Sequence, residues 1–70
     1  MNHGQNISVN GDPREVPVGC SLERLLSLLD LQNRRVAVAI NRGIVPRARY
    51  AASIIEDGDR IEILEAVGGG

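Results

Sequence analysis

One cysteine, one histidine and no lysine narrow the chemistry open to this chain of 70 residues. With Cys20 alone, no internal disulfide can form, and no zinc site of the usual kind, built from several thiolates and imidazoles, can be assembled. His3 lies in a polar leader, the part of a chain least expected to be ordered, and none of the four serines has a histidine base placed beside it. The carboxylates show no paired spacing on a helix, and no glycine loop precedes a helix where it would cradle a phosphate. A self-contained active site is therefore not expected. No apolar run is long enough for a membrane span, and the start has neither the charged nor the apolar region of a signal peptide. The expected setting is soluble, reduced and cytoplasmic, with no membrane partner.

Net charge is −1, which argues against nucleic acid as a partner. The charges are unevenly spread. Arg34, Arg35, Arg42, Arg47 and Arg49 fill the middle with no acid among them, and Glu56, Asp57, Asp59, Glu62 and Glu65 fill the last quarter against Arg60. Two readings stand: a pair of solvated faces, or an acidic surface near the C-terminus that steers the domain toward a basic partner.

What is present is a clear set of elements. In "NISVNGDPREVPV", Ile7 and Val9 alternate with polar neighbours and "NGDP" carries turn chemistry, so a hairpin is expected, with Val16 and Val18 on its return strand and Pro17 marking a sheet edge. "CSLERLLSLLDL" predicts the one main helix, about ten residues long. Ser21 is its N-cap, and Leu22, Leu25, Leu26 and Leu29 form its apolar stripe. Cys20 before the cap and Leu25 at the fourth helical position have the spacing of a hydrophobic staple, which gives the cysteine a packing role rather than a nucleophilic one. "VAVAIN" predicts a strand with Val36, Val38 and Ile40 on one face, and Ala37 and Ala39 on the other. A short strand through Ile44 and Val45 stops at Pro46, a loop or single helical turn follows, and "EDGD" makes a tight turn into the last strand. There, Ile61 and Ile63 point one way while Arg60, Glu62, Leu64 and Ala66 point the other.

The order predicts an α+β domain: a sheet of four to five strands with one helix covering one face. Residues 1–67 make the domain and residues 68–70 a flexible tail. On the uncovered face, Ala37, Ala39, Leu64 and Ala66 are apolar where polar side chains are expected, which marks a docking patch with Val67 at its exit and Glu62 and Glu65 flanking it.

The tail itself, Gly68, Gly69 and Gly70, is either slack or a tool. Three extended residues reach ~10 Å beyond the fold. They carry no side chain to clash in a narrow channel. As a tool, the tail offers the α-carboxylate of Gly70, which is ionised at neutral pH and becomes electrophilic only when another protein activates it, most simply as an acyl-adenylate from ATP. The absence of lysine fits such chemistry. Amines attack activated acyl groups, whereas the guanidinium of the eight arginines does not. Codon bias toward arginine is the alternative cause.

"AINRGIVPR", "IIEDGDRIEIL" and the terminal "GGG", together with the "SLERLL" helix opening, resemble the ThiS family of sulfur carriers of thiamin biosynthesis over nearly the whole chain. The terminal glycines alone are shared with ubiquitin-like modifiers and the molybdopterin synthase small subunit. "AIN…IVPR" at its distance from "EDGD" is more specific. Gly68 departs from many relatives, leaving the end competent and the tail looser. The resemblance implies a ubiquitin-like β-grasp fold with a mixed sheet. It also implies that a ThiF-type enzyme adenylates Gly70 with ATP, the carrier itself binding no cofactor. Sulfur originating from a cysteine desulfurase then forms a thiocarboxylate, which donates it to a ThiG-type thiazole synthase. The alternatives are a carrier for molybdopterin, tRNA thiolation or cysteine synthesis, a ubiquitin-like modifier joined to lysines, and a β-grasp binding module with no chemistry at its end.

Overall fold

The computed structural model describes residues 4–65. The order is β1 (Gly4–Val9), β2 (Asp12–Pro17), α1 (Leu22–Leu28), β3 (Val36–Ile40), β4 (Gly43–Val45), a 3-10 turn (Arg47–Arg49) and β5 (Arg60–Glu65). Asn10 and Gly11 join β1 to β2 with φ of 52° and 87°, the doubly left-handed turn whose twist matches a hairpin. β2 lies at the sheet edge, where its two prolines cost no ladder bonds to a further strand. Val16 reaches the core, but Val18 does not continue its face. The strand ends at Pro17, Cys20 N–H closes a turn on the Pro17 carbonyl, and Val18 is left 64% exposed.

Helix α1 begins as its sequence predicts. The Ser21 hydroxyl accepts the Arg24 N–H at 3.0 Å, and Leu22, Leu25 and Leu26 are buried. It is shorter than the expected ten or so residues. Asp30 turns left-handed (φ 62°), and the N–H groups of Asp30 and Leu31 close on the carbonyls of Ser27 and Leu26. That pair of bonds ends a helix by satisfying its last carbonyls, here without the usual glycine. Leu29 becomes the C-cap and is only half-buried.

The sheet order is β2-β1-β5-β3-β4, with β5 parallel to β1 and antiparallel to β3. The last strand is thus central, and the sheet is mixed with five strands. This is the β-grasp arrangement. Ile61 and Ile63 enter the core beneath α1 together with Ile7, Val16 and Val38, and Cys20 is buried beside them. Ile55 joins this core at 1% exposure although nothing periodic in its segment marks it. Its N–H donates to the Cys20 carbonyl, which pins the irregular stretch after the 3-10 turn against the start of α1.

Ala66, Val67, Gly68, Gly69 and Gly70 lie outside the described residues, as does the boundary expected after residue 67.

Candidate functional site

The uncovered face of the sheet is built by strand pairing. Ala37 stands opposite Leu64, Ala39 opposite Glu62, and Ala39 also opposite Ile44 on the other side. Side chains opposed in this way share a face with their Cβ atoms ~4.5–5.5 Å apart. Two small alanines between larger neighbours leave a depression of about 310 Å³, with Asn10 on its rim. Leu64 and Ile44 stand on it 75% and 77% exposed. Ile44 is the residue that sequence reasoning missed. The signal was available, because in a strand of Gly43, Ile44 and Val45 the middle residue must face away from the other two.

The acids divide differently from expectation. Glu62 lies on this face with Leu64. Glu65 has the parity of Ile61 and Ile63, so it points to the helix side, where its carboxylate accepts from Arg34 at 2.6 Å. Glu56, Asp57 and Asp59 sit at the start of β5, a strand of six residues that separates them from its end by ~16–20 Å. Two of these acids are engaged in structure there. Asp57 accepts the Asn6 N–H at 2.7 Å, and Asp59 accepts the Glu56 N–H at 2.8 Å and the Asn41 amide at 2.9 Å. Antiparallel pairing of Val36 with Glu65 meanwhile places Arg34 and Arg35 beside the end of β5. The surface around that end therefore carries both signs, and a single acidic surface is not what the fold builds.

Asn41 explains why "AIN" and "EDGD" belong together. Its side chain accepts the Arg60 N–H at 2.9 Å and donates to Asp59, while its own N–H bonds the Arg60 carbonyl. The β3–β4 hairpin is thereby stitched to the turn that starts β5. Asn41 and Arg42 both have positive φ, 50° and 71°, so this hairpin uses the same left-handed turn as the first one without a glycine.

Cys20 is 5% exposed, and its thiol donates weakly to the Ser21 carbonyl. Burial pushes the thiol pKa up, and the nearby Arg24 charge only partly opposes this. A thiol kept protonated inside a core is a packing residue. Among the described residues no group of His, Cys, Asp and Glu is arranged to hold a metal ion, and no helix is long and apolar enough to cross a membrane.

The ThiS family model matches residues 7–70. The chain is 36% identical over 64 residues to the sulfur carrier protein ThiS of Escherichia coli, covering 91% of this chain and 97% of that one. It is 40% identical over 62 residues to a thiazole synthase of Paramagnetospirillum magneticum, covering 89% of this chain but 19% of that much longer one. Its fold superposes on the crystal structure of the thiamine biosynthesis protein ThiS of Geobacter metallireducens with a TM-score of 0.77 and 35% identity, over 94% of this chain and all of that one. Family model, relatives and fold agree, and the chain belongs to the ThiS family.

Proposed function

We propose that this protein is a sulfur carrier whose working group is the carboxylate of Gly70. A ThiF-type enzyme joins that carboxylate to the AMP moiety of ATP and releases pyrophosphate. Sulfide, released when a thiol reductant reduces the persulfide that a cysteine desulfurase forms and is itself oxidised to a disulfide, then displaces AMP to leave a thiocarboxylate. The thiocarboxylate gives its sulfur to a thiazole synthase. The observation that carries this reading is the family match, which runs through the terminal glycines to residue 70. The thiazole synthase relative supports the choice of acceptor. A carrier-like segment within an acceptor's own chain raises the local concentration of one for the other, as two components that must meet would require.

In this reading the chain is a co-substrate of its partners and not an enzyme. Gly69 and Gly68 thread the carboxylate into the partner's site. Backbone hydrogen bonds to such a tail contribute only ~0.5–1.5 kcal/mol each, against ~1–2 kcal/mol to order each residue. Docking energy must come from elsewhere, and Leu64 and Ile44, the most exposed large apolar side chains among the described residues, stand together beside Ala37 and Ala39, continued in sequence by Ala66 and Val67. Glu62 acts mainly on encounter rate and orientation.

The test is intact mass after incubation with the activating enzyme, ATP and a sulfide source. One oxygen should be exchanged for sulfur. Deleting Gly69 and Gly70 should abolish the exchange and leave thermal unfolding unchanged. An isopeptide with a target lysine would instead identify a protein modifier. A large loss of stability on deletion would make the tail structural.

A further inference from the structure

Asn10 is exposed, sits in a turn and belongs to none of the chemistry above, yet its side chain makes two hydrogen bonds to the backbone of a residue 53 positions away. Strand β1 runs beside β5 only as far as the pairs Ser8–Arg60 and Val9–Ile61. At Asn10 the chain turns left-handed and departs into the hairpin, after its N–H makes a last bond to the Ile61 carbonyl at 2.9 Å. From there on, among the described residues, no strand lies beside the β1-side edge of β5. In the antiparallel pairing with β3, alternate residues of β5 point their polar groups away from β3, and Ile63 is one of them. Both of its groups are met by the one Asn10 amide. Oδ1 accepts the Ile63 N–H at 2.8 Å, and Nδ2 donates to the Ile63 carbonyl at 3.0 Å. A primary amide carries a donor and an acceptor side by side, as a peptide group does, so Asn10 supplies the rung that β1 cannot reach.

Ile63 lies between Glu62 and Leu64, lines the open-face depression with them and with Asn10, and stands two positions before Glu65, where the described strand ends. We propose that Asn10 is a positioning residue for presentation of the C-terminus. Through Ile63 it holds the end of β5 at the orientation in which Leu64 and the tail meet the activating enzyme. This rests on the carrier reading above. Without the amide, the edge of β5 is held from the β3 side alone, and a partner must order it on binding. Ordering about one residue costs ~1 kcal/mol, which is roughly a fivefold loss of affinity.

The experiment measures ATP-dependent pyrophosphate release by the ThiF-type activating enzyme at varied carrier concentration, well below the unfolding temperature of every variant. Asn10→Gly accepts the left-handed φ and deletes both bonds. Its KM should rise about fivefold with kcat unchanged, and hydrogen exchange at the Ile63 amide should quicken at least about tenfold. Asn10→Asp keeps the acceptor and the turn but sets a carboxylate oxygen against the Ile63 carbonyl, and its KM should also rise, which covers the case in which Asn10→Gly unfolds. Ser21→Ala, which removes the cap of α1 at the other end of the core, serves as a stability control and should leave KM alone. An unchanged KM for both Asn10 variants, or an equal rise for Ser21→Ala, would overturn the proposal. If the unsubstituted protein supports no pyrophosphate release at all, the carrier reading fails, and quickened exchange at Ile63 in Asn10→Gly would then leave Asn10 a structural clip only.

Discussion

Removing the Asn41 side chain tests whether the stitch between the β3–β4 hairpin and the turn before β5 is a main source of stability. Asn41→Gly is the clean perturbation, because glycine accepts the φ of 50° and the backbone bond from Asn41 N–H to the Arg60 carbonyl stays. Two bonds are lost. The amide donates to the Asp59 carboxylate at 2.9 Å, and a hydrogen bond to a charged group contributes ~1.5–3 kcal/mol. Its oxygen accepts the Arg60 N–H at 2.9 Å, an ordinary bond of ~0.5–1.5 kcal/mol. Both lie at the surface, where water replaces part of what is removed, so the low ends apply and sum to about 2 kcal/mol. The flexibility added by glycine, ~0.5–1 kcal/mol, is offset by relief of the left-handed conformation.

A loss of about 2 kcal/mol is large for so small a domain, whose whole stability is on the order of 4–10 kcal/mol. At roughly 4–8 °C per kcal/mol, the unfolding temperature should fall by ~8–16 °C, read by far-ultraviolet circular dichroism. A double-mutant cycle with Asp59→Ala isolates the stitch, since Asp59 also accepts the Glu56 N–H and so has a cost of its own. The coupling between Asn41 and Asp59 should be about 1 kcal/mol or more. A shift under about 4 °C, or additivity within ~0.5 kcal/mol, would refute the reasoning and make the stitch a passive consequence of the fold.

Two further outcomes are expected. Leu64→Arg should weaken binding to the activating enzyme at least tenfold, about 1.4 kcal/mol, with little change in unfolding temperature, because Leu64 is 75% exposed; titration alongside a thermal melt checks both, and unchanged affinity would remove the docking role. Cys20 should resist alkylation in the folded protein at neutral pH and react once urea is added. Because burial holds its folded pKa above the ordinary 9.0, its contribution to stability is complete below that pH and is lost as pH rises through the folded value. Urea melts near neutral pH and above pH 9.0 on Cys20→Ala and the unsubstituted protein would show it, and equal pH dependence of the two would contradict the burial argument.

Much of this was legible in the sequence, for reasons that are local. Asn10-Gly11 demands a left-handed turn, Ser21 three residues before Arg24 makes a cap, and period-two alternation from Arg60 to Leu64 sorts inward from outward side chains. What escaped depends on partners distant in the chain. Ile55 is buried because its N–H reaches the Cys20 carbonyl across an irregular segment, and no period announces that. The parity that put Leu64 on the uncovered face also put Glu65 on the helix side, yet its role needed Arg34, 31 residues earlier. The second hairpin turn was obscured because Arg42 stands where glycine is usual.

The same contrast separates what identifies the fold from what identifies the chemistry. "AIN" and "EDGD" are the specific part of the resemblance, and the structure uses both to join three segments: Asn41 to Asp59 and Arg60, and Asp57 to Asn6 on β1. None of these contacts touches the uncovered face or the terminus. The two motifs therefore mark the fold and not the chemistry at the terminus. The proposed sulfur chemistry would rest on a different and smaller set: an activatable carboxylate, glycines that let it enter a partner, and an apolar face to hold the body while they do. Asn10 is where the two sets meet, a turn residue whose amide secures the strand that leads to the terminus.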